Sequence, residues 1–190
     1  MSISTRSKGR ALALMALFAI DGVPSFEVED TLETFWRLYE YRQVWDNLFV
    51  NTGRHDHPLD EPPIWDIMDN LPLTRNPQRV LPALPAEFHQ AREFANERIQ
   101  GVLQKRRDVD AAISLASKKW RIQRMTRLDR SLLRLGAYEL LYTPDVPGPV
   151  VINEAIELCK RYSSVRAPSF INGILDRVRR NQRAKASKKN

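Results

Sequence analysis

The chain has 190 residues, 43% of them hydrophobic. This length is enough to bury one sizeable core but is short for two full domains. Its formal net charge of +7 favours an acidic partner such as nucleic acid. A single cysteine excludes an intrachain disulfide, and the longest apolar run, at 11–20, is too short to span a bilayer. We therefore expect a cytoplasmic protein that does not associate with a membrane.

The N-terminal part of the chain is predicted to be helical. A first helix is indicated by apolar residues at helical spacing, namely Ala11, Leu14, Met15 and Phe18. Asp21, Gly22 and Pro24 end this helix, and one or two further helices are predicted between Phe26 and Val50. Seven prolines then mark 58–85 as a loop insert, because proline lacks an amide donor and disfavours helix in the residue before it.

The C-terminal part continues the helical pattern. A long helix should begin at about Ala86, and the next follows from apolar positions at helical spacing: Val109, Ala112, Ile113, Ala116 and Trp120. Thr126 and Asp129 resemble a capping box, while Pro149 and Pro168 begin the last two helices. No stretch alternates apolar and polar residues, so no sheet is predicted. We expect an all-α fold, a single compact helical domain over 1–178, followed by a basic, disordered tail over 179–190.

Motifs for catalysis and for cofactors are absent from the sequence. It contains no glycine-rich phosphate loop and no nucleophile elbow, which favours a binding protein over an enzyme and predicts no cofactor. Cys159 lies on the apolar side of a predicted helix and is interpreted as a packed thiol. His55, Asp56 and His57 are close together, but no further ligands complete a set, so no metal site is predicted.

Recognition of RNA is the chemistry that the residues favour. Arg6 and Arg10 are one helical turn apart and are predicted to project together, opposite the core stripe, with Lys8 beside them. Cations at a helix N-terminus suit phosphates. A disordered basic start without a role explains the same residues equally well. Phe18 and Phe170 are candidate stacking aromatics, although Phe18 also fits a core position.

Two asparagines and a glycine near the C-terminus require an explanation. Asn153 and Asn172 lie inside apolar helical patterns, where asparagine is a poor helix residue. They either lock the last two helices together or contact RNA bases directly, and we favour the first interpretation. Gly173 is predicted to permit the close approach of a neighbouring backbone.

Two segments resemble a known family. The sequence "RLDRSLLRLGAYELLYTPDVPGPVVINEAIELCKRYSSVRAPSFINGILD" is similar to the C-terminal half of the NusB family of transcription antitermination factors, and "RSKGRALALMALF" resembles its opening helix. The resemblance implies an all-α fold of two helical subdomains without catalytic activity. It also implies binding of boxA RNA in ribosomal RNA leader transcripts together with NusE, a small-subunit ribosomal protein, within an RNA polymerase antitermination complex.

The resemblance also implies roles for particular residues. RNA binding is expected of five positions: Arg6, Lys8, Arg10, Phe18 and Phe170. Contact with NusE is expected of Asp129 and Arg130. The chain departs from the family at Ser7 and Gly9, at the proline-rich segment, and at Arg166, a partner-contact position where the family often has an acidic residue.

These departures keep a second function open, a NusB-derived protein interaction module with lost or altered RNA binding. A third class, the accessory domain of an RNA methyltransferase, would need a catalytic domain after Asn190, where this sequence stops. A homodimer is left open.

Overall fold

The computed structural model describes residues 4–39, 86–117 and 120–187. In these ranges the chain forms seven α-helices, two short 3-10 helices and no strand, which confirms the all-α prediction. The α-helices are α1 (Thr5–Ile20), α2 (Val28–Tyr39), α3 (Ala86–Gln104), α4 (Arg106–Ser117), α5 (Arg127–Tyr142), α6 (Gly148–Tyr162) and α7 (Ala167–Ser187). The 3-10 helices are Ser25–Glu27 and Ile122–Arg124. The predicted insert at 58–85, and with it the histidines at 55 and 57, lies outside the described residues.

Local side chains fix where the helices begin. The Ser4 hydroxyl accepts a hydrogen bond from the Ser7 amide at 3.1 Å and so caps α1. The Thr126 hydroxyl accepts from the Asp129 amide at 3.1 Å, which confirms the predicted cap of α5. Pro149 stands in the first turn of α6, where its missing amide proton costs nothing.

Helix α1 is the central helix of the described bundle. Every residue from Gly9 to Leu17 is buried, so no face of this stretch is turned to solvent. It packs against α2, α3 and α5. The apolar stripe of the sequence suggested a helix with one buried face, but an apolar run of this length is typical of a helix that is surrounded on all sides.

Close contact between α1 and α3 depends on a glycine. A Cβ atom added at Gly9 would lie 2.6 Å from Cδ1 of Phe94 and 2.9 Å from the carbonyl oxygen of Ala91. Gly101 plays the same part between α3 and α5, since a Cβ there would lie 2.0 Å from Cζ of Tyr138. Gly9, which departs from the basic run of the family's opening helix, is therefore accounted for by packing.

Two predicted boundaries differ from the structure. Helix α4 ends at Ser117, so Trp120 lies beyond it and is exposed rather than part of the apolar stripe. Helix α7 continues to Ser187, and the prediction of a disordered tail from 179 is wrong for 179–187. The aliphatic stem of Arg179 lies over Gly148, and this contact with the start of α6 helps to keep the extension helical. No helix within the described ranges is long and apolar enough to cross a membrane.

Candidate RNA and partner interface

The three cations predicted at the start of α1 lie in three different environments. Arg6 is exposed on the first turn, which contains no acidic residue. The Lys8 side chain is only 13% exposed, and its Nζ donates to Oε2 of Glu87 on α3 at 2.9 Å. Of these two, Arg6 is therefore the cation best placed to meet a phosphate from solution.

Arg10 is buried, and the prediction that it projects away from the core is wrong. Its Nε and Nη2 donate to the two carboxylate oxygens of Glu139 on α5 at 2.9 and 3.0 Å. Nε of Arg98 on α3 donates to Oε1 of the same carboxylate at 3.4 Å, and Glu154 of α6 lies 3.6 Å from Arg10 Nη1. The central position of α1 is the physical reason, because a side chain at residue 10 meets neighbouring helices in every direction. In this arrangement Arg10 holds α1 against α5 and α6.

A second buried charge cluster closes the other end of α1. Asp21 is buried, accepts hydrogen bonds from Arg130, and receives one from Arg134 Nη1 at 2.7 Å. Arg134 also forms a two-pronged pair with Asp110 at 2.8 and 2.9 Å. Burial by itself raises the pKa of Asp21, but the hydrogen bonds from Arg130 and Arg134 outweigh it, so that the pKa lies below its ordinary value. Arg130, predicted to contact a partner, is thus engaged inside the protein.

Phe18 and Asp129 are held at the surface where α1 ends and α5 begins. The guanidinium of Arg127 lies 4.9 Å from the centre of the Phe18 ring, and its Nη2 donates to the Phe18 carbonyl at 3.1 Å. Asp129 accepts a hydrogen bond from the Ser163 hydroxyl at 2.8 Å, which joins the start of α5 to the end of α6. Phe18 is half-buried rather than a full core residue.

Phe170 contacts a residue that the sequence assigned to the core. Its ring meets that of Trp120 edge to face, with centroids 6.3 Å apart and planes at 79°. Phe170 is half-buried, whereas Trp120 is 58% exposed. Arg166, just before α7, is also exposed.

The candidate site residues that are exposed or half-buried therefore fall into two groups. One end of the bundle brings together the end of α1, the start of α5, the end of α6 and the start of α7, and we call it the helix-end surface: Phe18, Trp120, Arg127, Asp129 and Phe170. Arg6 and Lys8 lie at the opposite end of α1, about 18 and about 15 Å from Phe18 at 1.5 Å of helix rise per residue. A ligand that contacts both groups must span that distance over the surface of the bundle.

The two asparagines and Gly173 are on the surface, and the prediction that Asn153 and Asn172 lock α6 to α7 is wrong. Asn153 and Asn172 are both exposed, and neither amide has a hydrogen-bond partner among the described residues. A Cβ atom at Gly173 would meet nothing within 4 Å, so this glycine permits no close backbone approach. Apolar side chains join the two helices instead: Ile152, Ala155 and Cys159 of α6 with Ile171, Ile174, Leu175 and Val178 of α7.

The described residues present no arrangement for covalent or metal chemistry. Cys159 is buried, as predicted, and burial together with the nearby charge of Asp129 raises the pKa of its thiol to about 12. A thiol of this kind is a poor nucleophile near neutral pH. In the described ranges no group of histidine, cysteine, aspartate and glutamate could hold a metal ion. The surface chemistry that remains is hydrogen bonding, ion pairing and aromatic contact.

Several residues of these sites, among them Arg127 and Arg134, were not found from the sequence. Trp120 was assigned to the apolar stripe, and the Arg98–Glu139 pair had no assigned role. Glu139 did carry a signal, because a carboxylate within the largely apolar run "LGAYELLY" demands a cationic partner if it is buried. The spacing of residues in the sequence does not identify its partners, Arg10 and Arg98.

Comparison with known proteins places these features in a family. The model of the NusB family matches residues 68–180. A protein of Syntrophotalea carbinolica named transcription antitermination protein NusB is 36% identical over 180 residues, covering 95% of each chain. One of the same name from Geobacter sulfurreducens is 51% identical over 87 residues, covering 46% of this chain and 63% of its own. A solved structure titled "T. maritima NusB, P3121, Form 2" covers 100% of both chains with a TM-score of 0.60 and 26% identity.

Proposed function

Because the chain belongs to the NusB family, we propose that it is a transcription antitermination factor that binds boxA RNA together with NusE. The observation that carries the proposal is the similarity along 95% of both chains to a protein named for antitermination. The family is one of antitermination factors and not of enzymes. The RNA is the leader transcript of ribosomal RNA, and the site of action is the antitermination complex of RNA polymerase in the cytoplasm.

Binding of the RNA phosphates is proposed for the start of α1. Arg6 is exposed there, and the first turn has the positive end of the helix dipole and no acidic residue of its own. Lys8 can contribute once its pair with the exposed Glu87 opens. Phe18 and Phe170, at the helix-end surface, are proposed to contact bases.

Contact with NusE is proposed for Asp129 and Arg166. Asp129 lies at the junction of α5 and α6, and Arg166 is exposed just before α7, so a protein docked at this end of the bundle would meet both. Arg130 supports this contact from inside, because its pair with Asp21 fixes the start of α5 to the end of α1.

A protein interaction module with lost or altered RNA binding is the second candidate function. The observation that favours it is the burial of Arg10 against Glu139, together with the pairing of Lys8 with Glu87. Of the three expected cations, only Arg6 is exposed. RNA affinity then decides between the two functions.

The test is binding of boxA RNA and of a scrambled RNA, each with and without NusE, over a series of salt concentrations. Arg6→Ala should weaken binding and lower the slope of log affinity against log salt by about 1, the loss of one phosphate contact. Arg37→Ala is the matched control, because Arg37 is an exposed arginine of α2 paired with Glu33. It removes the same charge and should leave both quantities unchanged.

A boxA preference that NusE strengthens and that Arg6→Ala reduces would support the antitermination function. Equal binding of both RNAs, with NusE still bound, would overturn it in favour of the interaction module. Equal losses for Arg6→Ala and Arg37→Ala would show that the charge of the whole protein, rather than the start of α1, controls affinity.

A further inference from the structure

Trp120 is a large aromatic side chain in an unusual position. It lies between the end of α4 and the 3-10 helix Ile122–Arg124, and 58% of its surface is exposed. Its backbone is nevertheless fixed, because its amide donates to the Ser117 carbonyl at 3.1 Å and its carbonyl accepts from the Ser117 hydroxyl at 2.7 Å. Ser117 is itself buried. The turn therefore presents the indole in a defined place.

Trp120 has one aromatic contact among the described residues, the ring of Phe170. Phe170 meets it edge to face at 6.3 Å and holds it against the start of α7. If Trp120 served only to anchor Phe170, most of the indole would be expected to be covered, since exposing apolar surface forgoes the free energy of burial. Instead, much of the aromatic surface is left in contact with solvent.

The sequence segment that contains Trp120 carries charge of a single sign. Between Ser117 and Asp129 the sequence contains no acidic residue and five basic ones, namely Lys118, Lys119, Arg121, Arg124 and Arg127. Arg121 and Arg124 are exposed, and neither forms an ion pair with an acidic residue of the described ranges. An aromatic ring flanked by unpaired cations is the arrangement with which proteins bind single-stranded nucleic acid.

We propose that Trp120 is a stacking platform for one base of a single-stranded RNA, and that Arg121 and Arg124 contact the phosphates beside that base. The inference rests on the proposed function, which supplies RNA as the ligand, and adds a contact that neither the family resemblance nor the apolar stripe assigned. Phe170 contributes in two ways, since it supports the indole and borders the same surface.

The experiment compares four variants in binding to boxA RNA and to scrambled RNA. Trp120→Ala and Trp120→Leu remove the π-face, and the leucine keeps apolar contact with Phe170 in case alanine destabilises the fold. Both should weaken binding about 5- to 100-fold, the effect of one base–aromatic stack. Trp120→Phe keeps a stacking ring and should retain most of the affinity. Phe26→Ala is the control, because Phe26 is 80% exposed beside the acidic residues of α2 and should have no effect.

Two further readouts locate the contact. RNA should quench tryptophan fluorescence in the natural chain, and the quenching should be largely lost in Trp120→Phe. Arg121→Ala with Arg124→Ala should lower the salt slope by about 2, one unit for each phosphate contact. Thermal unfolding of each variant shows whether a loss of affinity comes from misfolding.

The outcomes separate this proposal from the proposed function. If Trp120→Leu binds RNA like the natural chain while Arg6→Ala does not, the stacking proposal is overturned and the antitermination function stands. If Trp120→Leu loses NusE and not RNA, the residue is a protein contact and the proposal is likewise overturned. If the natural chain shows no boxA preference but Trp120→Leu still binds both RNAs more weakly, the antitermination function fails and stacking is retained.

Discussion

The first and last described helices differ most from what their sequences suggest. Helix α1 carries cations predicted to face RNA, yet it is surrounded by other helices, and Arg10 pairs with Glu139 in the interior. Helix α7 carries Asn172 and Gly173, predicted to pack inside, yet both are exposed. The comparison teaches that residue type alone does not tell which side of a helix faces solvent. The place of the helix in the bundle decides it.

The largest effect is expected from removing the buried carboxylate that pairs with Arg10 of α1. Glu139→Gln should lower the free energy of unfolding by about 3 to 5 kcal/mol, because it leaves the buried Arg10 and Arg98 without their shared carboxylate. Urea unfolding measures it. The control is Glu157→Gln on the exposed side of α6, where Glu157 pairs with Lys160 and the change should stay within about 0.5 kcal/mol. Equal effects would mean that the buried cluster is no stronger than a surface pair.

The second-largest effect is expected from removing the charge of Asp21, which directly follows α1. Asp21→Asn should cost about 2 to 3 kcal/mol near neutral pH, since it weakens charged hydrogen bonds with Arg130 and Arg134. The folded-state pKa of Asp21 lies below its ordinary value of 3.8. Its contribution is therefore fully present above 3.8 and is lost as pH falls through the folded-state pKa. Urea unfolding at a series of pH values should show the natural and variant curves converging in acid. A difference that stayed constant into strong acid would contradict this assignment.

A pair of glycine substitutions compares the two helices directly. Gly9→Ala should destabilise the protein by about 1 to 3 kcal/mol, because the new methyl group would overlap Phe94 and the Ala91 carbonyl. Gly173→Ala meets nothing within 4 Å and should stabilise the protein by up to about 1 kcal/mol through helix propensity. Thermal unfolding shows whether each substitution lowers or raises the stability of the protein. Destabilisation by Gly173→Ala would show that α7 is packed more closely than its exposure indicates.

The smallest effect concerns the exposed amides. Asn153→Ala and Asn172→Ala should each change the free energy of unfolding by no more than about 0.5 kcal/mol, as surface substitutions do. A buried bridging amide would instead cost about 1 to 3 kcal/mol on removal. Chemical denaturation therefore distinguishes the two interpretations, and a loss in the larger range would restore the structural role.

Much of the fold could be predicted from the sequence because its signals are local. The start at Ala86, the Thr126 cap and the buried Cys159 depend on residues within one or two turns, and all three are confirmed. The end of α4 at Ser117 was missed, since the apolar spacing continues to Trp120 while the chain itself leaves the helix. Lysines and arginines after Val178 suggested disorder, but contacts with α5 and α6 keep 179–187 helical.

The candidate site was predicted less well than the fold, because it depends on partners far apart in the chain. Phe18 and Phe170 are half-buried, and their neighbours Arg127 and Trp120 were not foreseen. Arg10 and Glu139 are 129 positions apart, and no spacing rule connects them.

The sequence by itself determined the helical class, the main helix starts and the family resemblance, because periodicity, capping and motif are read from neighbouring residues. Only the tertiary structure decided which cations are available. Arg10 and Arg130 are neutralised by carboxylates from other helices, whereas Arg6, Arg121 and Arg124 are exposed. The physical reason is that a buried charge must find an opposite charge nearby, and the packing of helices determines which one it meets.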